Sequence, residues 1–375
     1  MANKKIMNID VAHAQVRIWK RLTNIYKANK IGTAYLFAGP QGCGKEGIAI
    51  KFSQLLNCEK KLDIVCEDCP SCKRSIKLQH ENVKIVFPLP TQKNSSTNLN
   101  QKEIDLIHES MEKKAQDSFF KIRIPNANRI LLQSIKELRK NLYLKNISSG
   151  RKIVIVFDAH LLSAGQGETG NAFLKLLEEP PENTTLILVT DYIELVLPTI
   201  RSRCQVFNFF KLEDNFMSLW FKSKMIEEQN LSLLIGLSRG NIITAQFFLN
   251  QSVKDLMNLI KELANKVIRA NPDEWRKFIE YYSKIAKQDK ETFIFHFMLL
   301  RMWCQSANRL QKNIDDLLHN SPLNLHMKKI ITDYPSTEFL SIVIEIEKIL
   351  KAISMNLYMP LVLINFLLKT KKYLK

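Results

Sequence analysis

A glycine-rich segment near the start of the chain has the residue types and spacing of a phosphate-binding loop. It reads Gly-Pro-Gln-Gly-Cys-Gly-Lys over residues 39–45, after an apolar run at 34–38 and before a helical pattern that extends to Leu56. Glycine lets backbone N–H groups close around phosphate oxygens, and the lysine can reach the β and γ phosphates of a nucleotide. Strand, loop and helix in this order predict a P-loop.

Two acidic residues bear on whether this loop could serve an ATPase. A P-loop has Ser or Thr after the lysine as a Mg²⁺ ligand, but this chain has Glu46 there. The Glu46 charge would repel a triphosphate unless a cation intervenes. Asp158 ends a continuous apolar run at 153–157, where a nucleotide site would place a Mg²⁺ ligand. The residues alone leave open whether the chain hydrolyses ATP or only has the corresponding fold.

Four of the seven cysteines are spaced like metal ligands. Cys66, Cys69 and Cys72 are separated by two residues each, and Cys58 precedes them by eight positions. Four thiolates satisfy tetrahedral Zn²⁺ and leave no open coordination position, so we predict a structural zinc module at about 57–75. The alternative is four buried free cysteines.

Length and composition indicate a globular protein of two or three domains. The chain has 375 residues, of which 46% are hydrophobic and 25% are charged, an ordinary globular composition. No stretch reaches 18 uninterrupted apolar residues, and the first residues lack the apolar core of a signal peptide. We therefore expect a cytoplasmic protein.

The net charge of +18 has two interpretations. It could mark a surface that faces nucleic acid phosphates. It could equally reflect the amino-acid usage of an A+T-rich genome, since the lysines are spread along the chain. The charge is compatible with a nucleic-acid partner and does not establish one.

Apolar runs alternate with helical patterns through residue 210, which is typical of a doubly wound parallel α/β sheet with its ligand site at the strands' carboxyl ends. The predicted strands are 34–38, 83–87, 153–157, 184–190 and 205–209. Besides the helix after the P-loop, the predicted helices are 9–30, 103–117, 130–144 and 171–179. Residues 121–124 are a further candidate strand.

The segment of about 88–120 is predicted to be an insertion. Residues 92–101 are polar and rich in Asn and Ser, which indicates a loop, and 103–117 fit an exposed helix. We assign no chemistry to this insertion.

Helical periods dominate after residue 210. We predict a nucleotide-binding-type core at 1–210, a helical lid at 211–255 and a helical bundle at 256–375. Aromatic residues in the bundle fit its core better than a base-stacking surface: Trp275, Phe278, Tyr281, Tyr282 and the residues from Phe293 to Trp303.

Four motifs together resemble the AAA+ subunits of the bacterial sliding-clamp loader, most closely the delta-prime family of DNA polymerase III. They are the Ala-Tyr-Leu-Phe run at 34–37, the four-cysteine module, Leu-Lys-Leu-Leu-Glu-Glu-Pro-Pro at 174–181, and Ile-Arg-Ser-Arg-Cys at 200–204. The resemblance covers residues 1 to about 250 well. It covers the C-terminal helices only weakly, through 356–361 and the apolar helix after it.

The resemblance implies a role in DNA replication, in a hetero-pentamer with tau/gamma and delta subunits. Such a loader opens a ring-shaped sliding clamp and places it on primed template DNA, and its C-terminal bundles form a collar. The arginine of the Ser-Arg-Cys motif implies that Arg203 acts in trans as an arginine finger on a neighbour's ATP. The alternative for Arg203 is a surface ion pair.

Three departures from the family pattern imply that this chain does not hydrolyse ATP. Glu46 replaces the hydroxyl ligand. In the family register, set by the Ala-His pair at 159–160, Phe157 occupies the Mg²⁺-ligand position and Asp158 replaces the glutamate that activates water. Ile243 stands where ATP-using relatives have a lid arginine, and the nearby Arg239 is expected at the surface.

A chain that does not hydrolyse ATP could still bind ATP or ADP weakly, through the P-loop residues Gly39, Gly42, Gly44 and Lys45. Thr190 lies at a strand end where relatives keep a polar sensor residue, and it is a candidate for a vestigial sensor. One competing hypothesis is an ATP-hydrolysing tau/gamma-like motor subunit that tolerates Glu46. Another is a zinc-dependent nucleic-acid binder that uses the AAA+ fold only as a scaffold.

Overall fold

The P-loop strand lies inside a five-stranded parallel sheet in the computed structural model of the protein. The strands are β1 (Ala34–Ala38), β2 (Val83–Val86), β3 (Lys152–Val156), β4 (Thr184–Thr190) and β5 (Gln205–Asn208). Their order across the sheet is β2-β3-β4-β1-β5, and every neighbouring pair is parallel. Because β1 lies between β4 and β5, the loop after it lies at the carboxyl edge of the sheet, beside the ends of both neighbours.

The structure describes residues 9–90, 100–143, 150–164, 167–249, 251–269, 271–354 and 357–374. Most of the polar loop predicted at 92–101 therefore lies outside the described residues.

Eight α-helices accompany the sheet in the described part of residues 9–201. They are α1 (Val11–Ala14), α2 (Val16–Lys27), α3 (Lys45–Asn57), α4 (Pro70–Ile76), α5 (Gln101–Gln116), α6 (Leu132–Tyr143), α7 (Glu168–Glu178) and α8 (Pro198–Arg201). Short 3-10 helices lie at Ala159–Ser163 and Ile193–Leu195. The predicted strands and helices of this part agree with the structure to within a few residues, apart from the two differences described next, and the short helices α4 and α8 were not predicted.

Gln15 interrupts the single helix predicted at 9–30. Its backbone leaves the helical region (φ −134, ψ 54), and its buried side chain donates to the carbonyl oxygens of Cys43 and Phe210, at 3.0 and 2.9 Å. These two hydrogen bonds satisfy a buried amide that a continuous helix would have pointed elsewhere.

Residues 121–124 do not form the strand predicted for them. The antiparallel contact in this region is a single bridge between Leu89 and Arg129. Residues 121–124 instead follow the end of α5 without regular structure, with Ile122 and Ile124 buried. This irregular segment carries Lys121, which is important for the site described below.

Asn100 fixes where α5 begins. Its side chain accepts a hydrogen bond from Glu103 N, and Glu103 accepts one from Asn100 N, so the two form a capping box. The predicted helix at 103–117 is thereby confirmed. It is largely exposed, except for Lys114 in its last turn.

The sheet is buried on both faces, as expected for parallel strands. All residues of β1 and β4 are buried. On one face, α6 and α7 cover the strands with a cluster that includes Ile135, Leu138 and Phe173. The buried sheet holds the carboxyl ends of β1, β3 and β4 in fixed register.

The contacts divide the chain into two units, residues 1–217 with 240–243, and residues 218–239 with 244–375. The domain boundaries predicted at 210 and 255 stay predictions. The helices after β5 are α9 (Asp214–Ser223), α10 (Glu228–Ser238), α11 (Ile242–Leu249), α12 (Val253–Ile268), α13 (Pro272–Gln288), α14 (Lys290–Gln311), α15 (Leu323–Asp333), α16 (Phe339–Ser354) and α17 (Met359–Tyr373), with a 3-10 helix at Leu317–Asn320.

The aromatic core predicted for the C-terminal bundle is confirmed, with exceptions on α13. Phe278 and Tyr282 are buried, as is most of the segment from Phe293 to Trp303. Tyr281 is 55% exposed, so its assignment to the core was wrong, and Trp275 is half-buried. Tyr281 directly precedes a buried residue on the same helix, and successive helical residues point in different directions. In the described residues no helix is long and apolar enough to cross a membrane.

Candidate functional site

The P-loop has the backbone geometry that its glycines permit. Gly42 and Gly44 have φ values of 72 and 87, which favour glycine, and α3 begins directly after them at Lys45. A Cβ on Gly39 would lie 2.5 Å from Phe209 O, so the loop also approaches the end of β5 closely. The loop geometry is therefore retained, and the question becomes what the Lys45 side chain binds.

Lys45 forms an ion pair inside its own chain. Its Nζ contacts Asp191 Oδ1 and donates to Pro40 O at 3.0 Å, and the side chain is almost fully buried. Asp191 follows the last residue of β4, Thr190, which pairs with Ala38 at the end of β1. The sheet register thus places the Asp191 carboxylate beside the P-loop.

A second lysine joins Asp191 to the acid at the end of β3. Lys121 Nζ lies 2.6 Å from Asp191 Oδ2 and 2.8 Å from Asp158 Oδ1. Burial alone would raise the pKa of Asp191, but Lys121 and Lys45 outweigh it and lower that pKa to about 2. Burial would likewise lower the pKa of Lys121, whereas Asp158 and Asp191 hold it above its ordinary value. Asp191 and Lys121 are therefore both charged at neutral pH.

A third lysine neutralises Glu46. Lys114 Nζ lies 2.7 Å from Glu46 Oε2 and 3.1 Å from Ser118 O, and its side chain is only 1% exposed. The same ammonium lies 5.5 Å from the centre of the Phe157 ring, within cation–π range. The sequence left the charge of Glu46 without a partner, and Lys114 from the insertion supplies it.

These side chains form two ion-paired sets beside the same loop cavity, with balanced charge, which we together call the internal ion cluster. Its members are Lys45, Lys114, Lys121, Glu46, Asp158 and Asp191. Three positive and three negative charges sum to zero. Each lysine is paired with an acid of the same chain.

Residues after α5 also cover the glycines. A Cβ on Gly44 would lie 2.9 Å from Phe119 Cε1, and one on Gly47 would lie 2.9 Å from Ser118 O. The cavity at the loop, lined also by Ile243, has a volume of about 20 Å³. That volume holds about one water molecule, whereas small-molecule sites usually measure several hundred Å³.

Arg203 lies at the opposite edge of the sheet from the P-loop. It lies two residues before β5, whose first residue, Gln205, pairs with Tyr35 near the start of β1. Its side chain is 39% exposed, its Nη2 lies 2.8 Å from Glu178 Oε1, and its Nη1 donates to Thr199 O at 3.0 Å. The surface ion pair weighed as the alternative for Arg203 is thus present, yet the side chain stays accessible.

The four clustered cysteines meet at one point. Their Sγ atoms all lie within 4.8 Å of one another, and those of Cys66 and Cys72 are 3.7 Å apart. Four thiolates about 2.3 Å from one tetrahedral ion would be about 3.8 Å apart, so the donor set fits a metal ion. Backbone N–H groups of Cys69 and Asp68 lower the pKa of Cys66 to about 6, whereas burial raises the pKa of Cys72, so the fit to a metal ion rests on the sulfur positions.

A buried hydrogen-bond network anchors α4, which carries Cys72. Ser71 Oγ donates to Asn57 O at 2.6 Å and lies 2.8 Å from His80 Nε2. His80 Nδ1 accepts from Asn82 N at 3.1 Å, so the other ring nitrogen carries the proton and donates to Ser71. This arrangement ties the cysteine module to the end of α3 and to the start of β2.

The family described as "DNA polymerase III, delta subunit" matches residues 14–213, more than half of the chain. The chain belongs to this family. The matched range contains the P-loop, the cysteine cluster, the internal ion cluster and Arg203.

Curated relatives of this delta-family chain include DNA polymerase III subunit tau of Bacillus subtilis, 26% identical over 66% of this chain, and subunit gamma of Buchnera aphidicola, 28% identical over 66%. The chain spans 38% and 56% of the lengths of these two relatives. Among solved structures, a gamma-subunit-related protein of Thermotoga maritima is 18% identical with a TM-score of 0.40 and covers 94% of this chain and 99% of its own.

Two predictions for this family member need correction. Arg239, expected at the surface, is largely buried and forms an ion pair with Asp316 at 3.3 Å, because it ends α10 in a left-handed conformation (φ 47). The insertion to which we assigned no chemistry supplies Lys114 to the P-loop.

Thr190, the candidate sensor residue at the end of β4, is buried. Its hydroxyl lies 3.2 Å from His160 Nδ1 and accepts a hydrogen bond from Tyr192 N.

Sequence reasoning missed three members of the internal ion cluster, Lys114, Lys121 and Asp191. Their partners are 37 to 146 residues away along the chain, beyond the range of any periodic pattern. One signal was available: Glu46 beside a P-loop lysine requires a compensating cation from elsewhere in the chain.

Proposed function

We propose that this chain is a delta-prime-like subunit of the replicative sliding-clamp loader that does not hydrolyse ATP itself. The observation that carries the proposal is the ion pair between Lys45 and Asp191, which occupies the lysine that an ATPase needs for the β and γ phosphates. Phe157 and Ile243, at positions where ATP-using relatives bear catalytic side chains, support the same conclusion.

In this proposal Arg203 acts on the ATP of a neighbouring subunit. Arg203 and the P-loop are separated by the length of β1, about 13 Å at 3.3 Å per residue, so this arginine is poorly placed to serve its own loop. Its exposed guanidinium could instead stabilise the charge of a γ-phosphoryl group on another chain. An incoming phosphate would have to displace only Glu178, which is itself half-exposed.

The proposed partners follow from the same reading. The chain would assemble with tau/gamma and delta subunits into an AAA+ hetero-pentamer, using its C-terminal helices as a collar. That loader would place a sliding clamp on primed template DNA. The net charge of +18 suits work near DNA and identifies no particular surface.

Reconstitution of the loader with Arg203→Ala tests the proposal. We expect normal assembly and a fall of about 10³-fold or more in DNA- and clamp-stimulated ATP hydrolysis, because an arginine finger contributes 10³–10⁵-fold. Arg201→Ala, an exposed arginine two residues earlier at the end of α8, is the matched control and should leave turnover within about twofold. An unchanged rate for Arg203→Ala would refute the trans role.

The alternative is an ATP-hydrolysing tau/gamma-like motor subunit. It is favoured by one observation, that curated relatives bear the names tau and gamma. Steady-state ATP hydrolysis by the isolated full-length chain separates the two functions. The motor subunit would turn over on the order of one ATP per second, and the proposed subunit would show no turnover above background.

We also propose that the four-cysteine cluster binds structural Zn²⁺. The four thiolates would hold the ion and close the loop between α3 and α4, and the ion would supply folding free energy rather than chemistry. We expect one zinc per chain by elemental analysis, lost in Cys69→Ser and kept in Cys204→Ser, which lies outside the cluster. Wild-type protein that is well folded and free of zinc would contradict this assignment.

A further inference from the structure

We propose that the internal ion cluster takes the place of a magnesium–nucleotide, so that the P-loop is held permanently by charges of its own chain. Asp191 would stand for the phosphate, and the ammonium groups of Lys121 and Lys114 would together stand for the metal ion, Lys121 toward the anion and Lys114 toward Glu46. The inference rests on the proposed function and deepens it. It says why the loop can keep its geometry without a ligand and which residues exclude one.

Asp191 binds the P-loop lysine as a phosphate would. In a working P-loop, the lysine bonds to phosphate oxygens that also contact a metal cation. Here one oxygen of Asp191 binds Lys45 and the other lies 2.6 Å from Lys121. An anion shared by the P-loop lysine and a second cation is therefore already present in this chain.

Lys114 occupies the position expected for the metal ion. In P-loop NTPases, Mg²⁺ is held by the residue after the P-loop lysine and by an acid that follows a neighbouring strand. Here the residue after the lysine is Glu46, and residue 157 follows β3. The Lys114 ammonium lies 2.7 Å from the Glu46 carboxylate and 5.5 Å from the centre of the Phe157 ring. Phe157 thus offers a ring face to the ammonium where a Mg²⁺ site needs an oxygen ligand, and the Glu46 carboxylate is already paired with that ammonium.

Burial makes the cluster hard to open. The Lys45 and Lys114 side chains are at most 5% exposed, and an unpaired charge at such a depth is strongly unfavourable. A triphosphate would have to displace Asp191 from two lysines and move Phe119 away from Gly44. Each displacement would leave a buried charge or apolar group without its partner, so the cluster favours the ligand-free loop.

A double-mutant cycle on Lys114 and Glu46 tests the proposal in the full-length chain. Lys114→Met and Glu46→Gln should each lower the thermal unfolding midpoint by about 6 °C or more, because each leaves one buried charge unpaired. The double variant should recover at least half of the summed loss. Lys113→Met, which removes the neighbouring exposed lysine paired with Glu109, should change the midpoint by less than about 2 °C.

Recovery in the double variant keeps the test decisive even if Lys114→Met alone does not fold, since Glu46→Gln and the double variant can still be compared. Additive losses, or single variants as stable as wild type, would overturn the proposal. The second measurement is the midpoint of wild type in millimolar Mg-ATP, which should stay within about 1 °C of that without nucleotide. A rise of several degrees would show an open nucleotide site and also overturn the proposal.

The two experiments fail separately. The stability cycle uses the isolated chain and does not involve Arg203, whereas the loader assay with Arg203→Ala does not depend on the cluster. If Arg203→Ala lowers the ATP turnover of the loader as expected but the stability losses of the Lys114 and Glu46 variants are additive, only the proposal that the internal ion cluster replaces a magnesium–nucleotide is refuted. If the double variant recovers most of the stability loss but Arg203→Ala leaves the ATP turnover of the loader unchanged, only the trans role of Arg203 is refuted.

Discussion

The two edges of the parallel sheet present opposite environments for charge. At the carboxyl edge, Lys45 is buried and bound by Asp191, within a cluster whose three lysines and three acids cancel. At the amino edge, Arg203 is 39% exposed and bound by a single half-exposed acid, Glu178. The first arrangement is costly to break, and the second is not, because exposed ion pairs contribute at most about 1 kcal/mol.

This difference indicates where chemistry remains available. Each charge of the buried cluster is already paired, and breaking a pair would leave an uncompensated charge, whereas an accessible guanidinium can exchange one anion for another. Lys45, which lies in an active-site motif, is thus the candidate for a structural role. Arg203, which lies in a surface ion pair, is the candidate for chemistry. The predictions below test this contrast, beginning with the largest effect.

At the amino edge of the sheet, ATP turnover by the loader should require an arginine at position 203 rather than any cation. Arg203→Lys in the reconstituted loader should lower stimulated ATP turnover by about 100-fold or more, because an ammonium lacks the planar fork that binds phosphate oxygens in pairs. Arg201→Lys, the same substitution at the exposed arginine two residues earlier, is the control. Full activity of Arg203→Lys would show that only the positive charge is needed.

At the carboxyl edge of the sheet, the stability of the fold should depend on Lys121. Lys121→Met leaves Asp158 unpaired and Asp191 with Lys45 alone, so we expect a loss of roughly 3–5 kcal/mol in the free energy of unfolding, measured with urea. Lys136→Met, at an exposed position of α6, should change it by less than about 0.5 kcal/mol. Equal effects of the two substitutions would mean that the cluster contributes little.

At the carboxyl edge, low pH should reduce the stability that Asp191 contributes. Because its pKa is lowered to about 2 in the folded chain, its stabilisation is fully present above its ordinary pKa of about 4 and is lost as the pH falls toward 2. The difference in unfolding free energy between wild type and Asp191→Asn should therefore shrink by roughly 1 kcal/mol between pH 5 and pH 3. A difference that stays constant over this range would contradict the assigned pairing.

The smallest effect is expected at Glu178. Glu178→Gln removes the acid beside Arg203, and because the pair is exposed we expect a stability change below about 1 kcal/mol. Loader turnover should stay within about threefold, since the arginine itself remains. Glu182→Gln, another exposed acid nearby in the sequence, is the control. A large loss of stability for Glu178→Gln alone would place Arg203 among the structural residues.

Local patterns predicted the framework of the molecule well. The five strands, the P-loop and the cysteine spacing each lie within a short stretch, where apolar runs, glycines or thiols carry the signal. The same patterns predicted a strand at 121–124, where two buried isoleucines in an irregular segment resemble a strand.

Contacts between distant segments could not be predicted in this way. Lys114 lies on a helix that is mostly exposed and rich in charged residues, and the local sequence does not distinguish it from Lys113. Asp191 is the residue after a strand, and only the order of β1 and β4 in the sheet places it beside Lys45. Arg239 shows the same limit, because its partner Asp316 is 77 residues away.

The most direct test of the contrast compares one variant from each edge in the same reconstituted loader. Lys45→Arg keeps the positive charge opposite Asp191 but replaces the lysine that an ATPase requires, and Arg203→Ala removes the proposed finger. After thermal unfolding confirms that both variants are folded, stimulated ATP turnover is measured. We predict turnover within about twofold of wild type for Lys45→Arg and a loss of about 10³-fold for Arg203→Ala. A large loss for Lys45→Arg with normal turnover for Arg203→Ala would contradict the account.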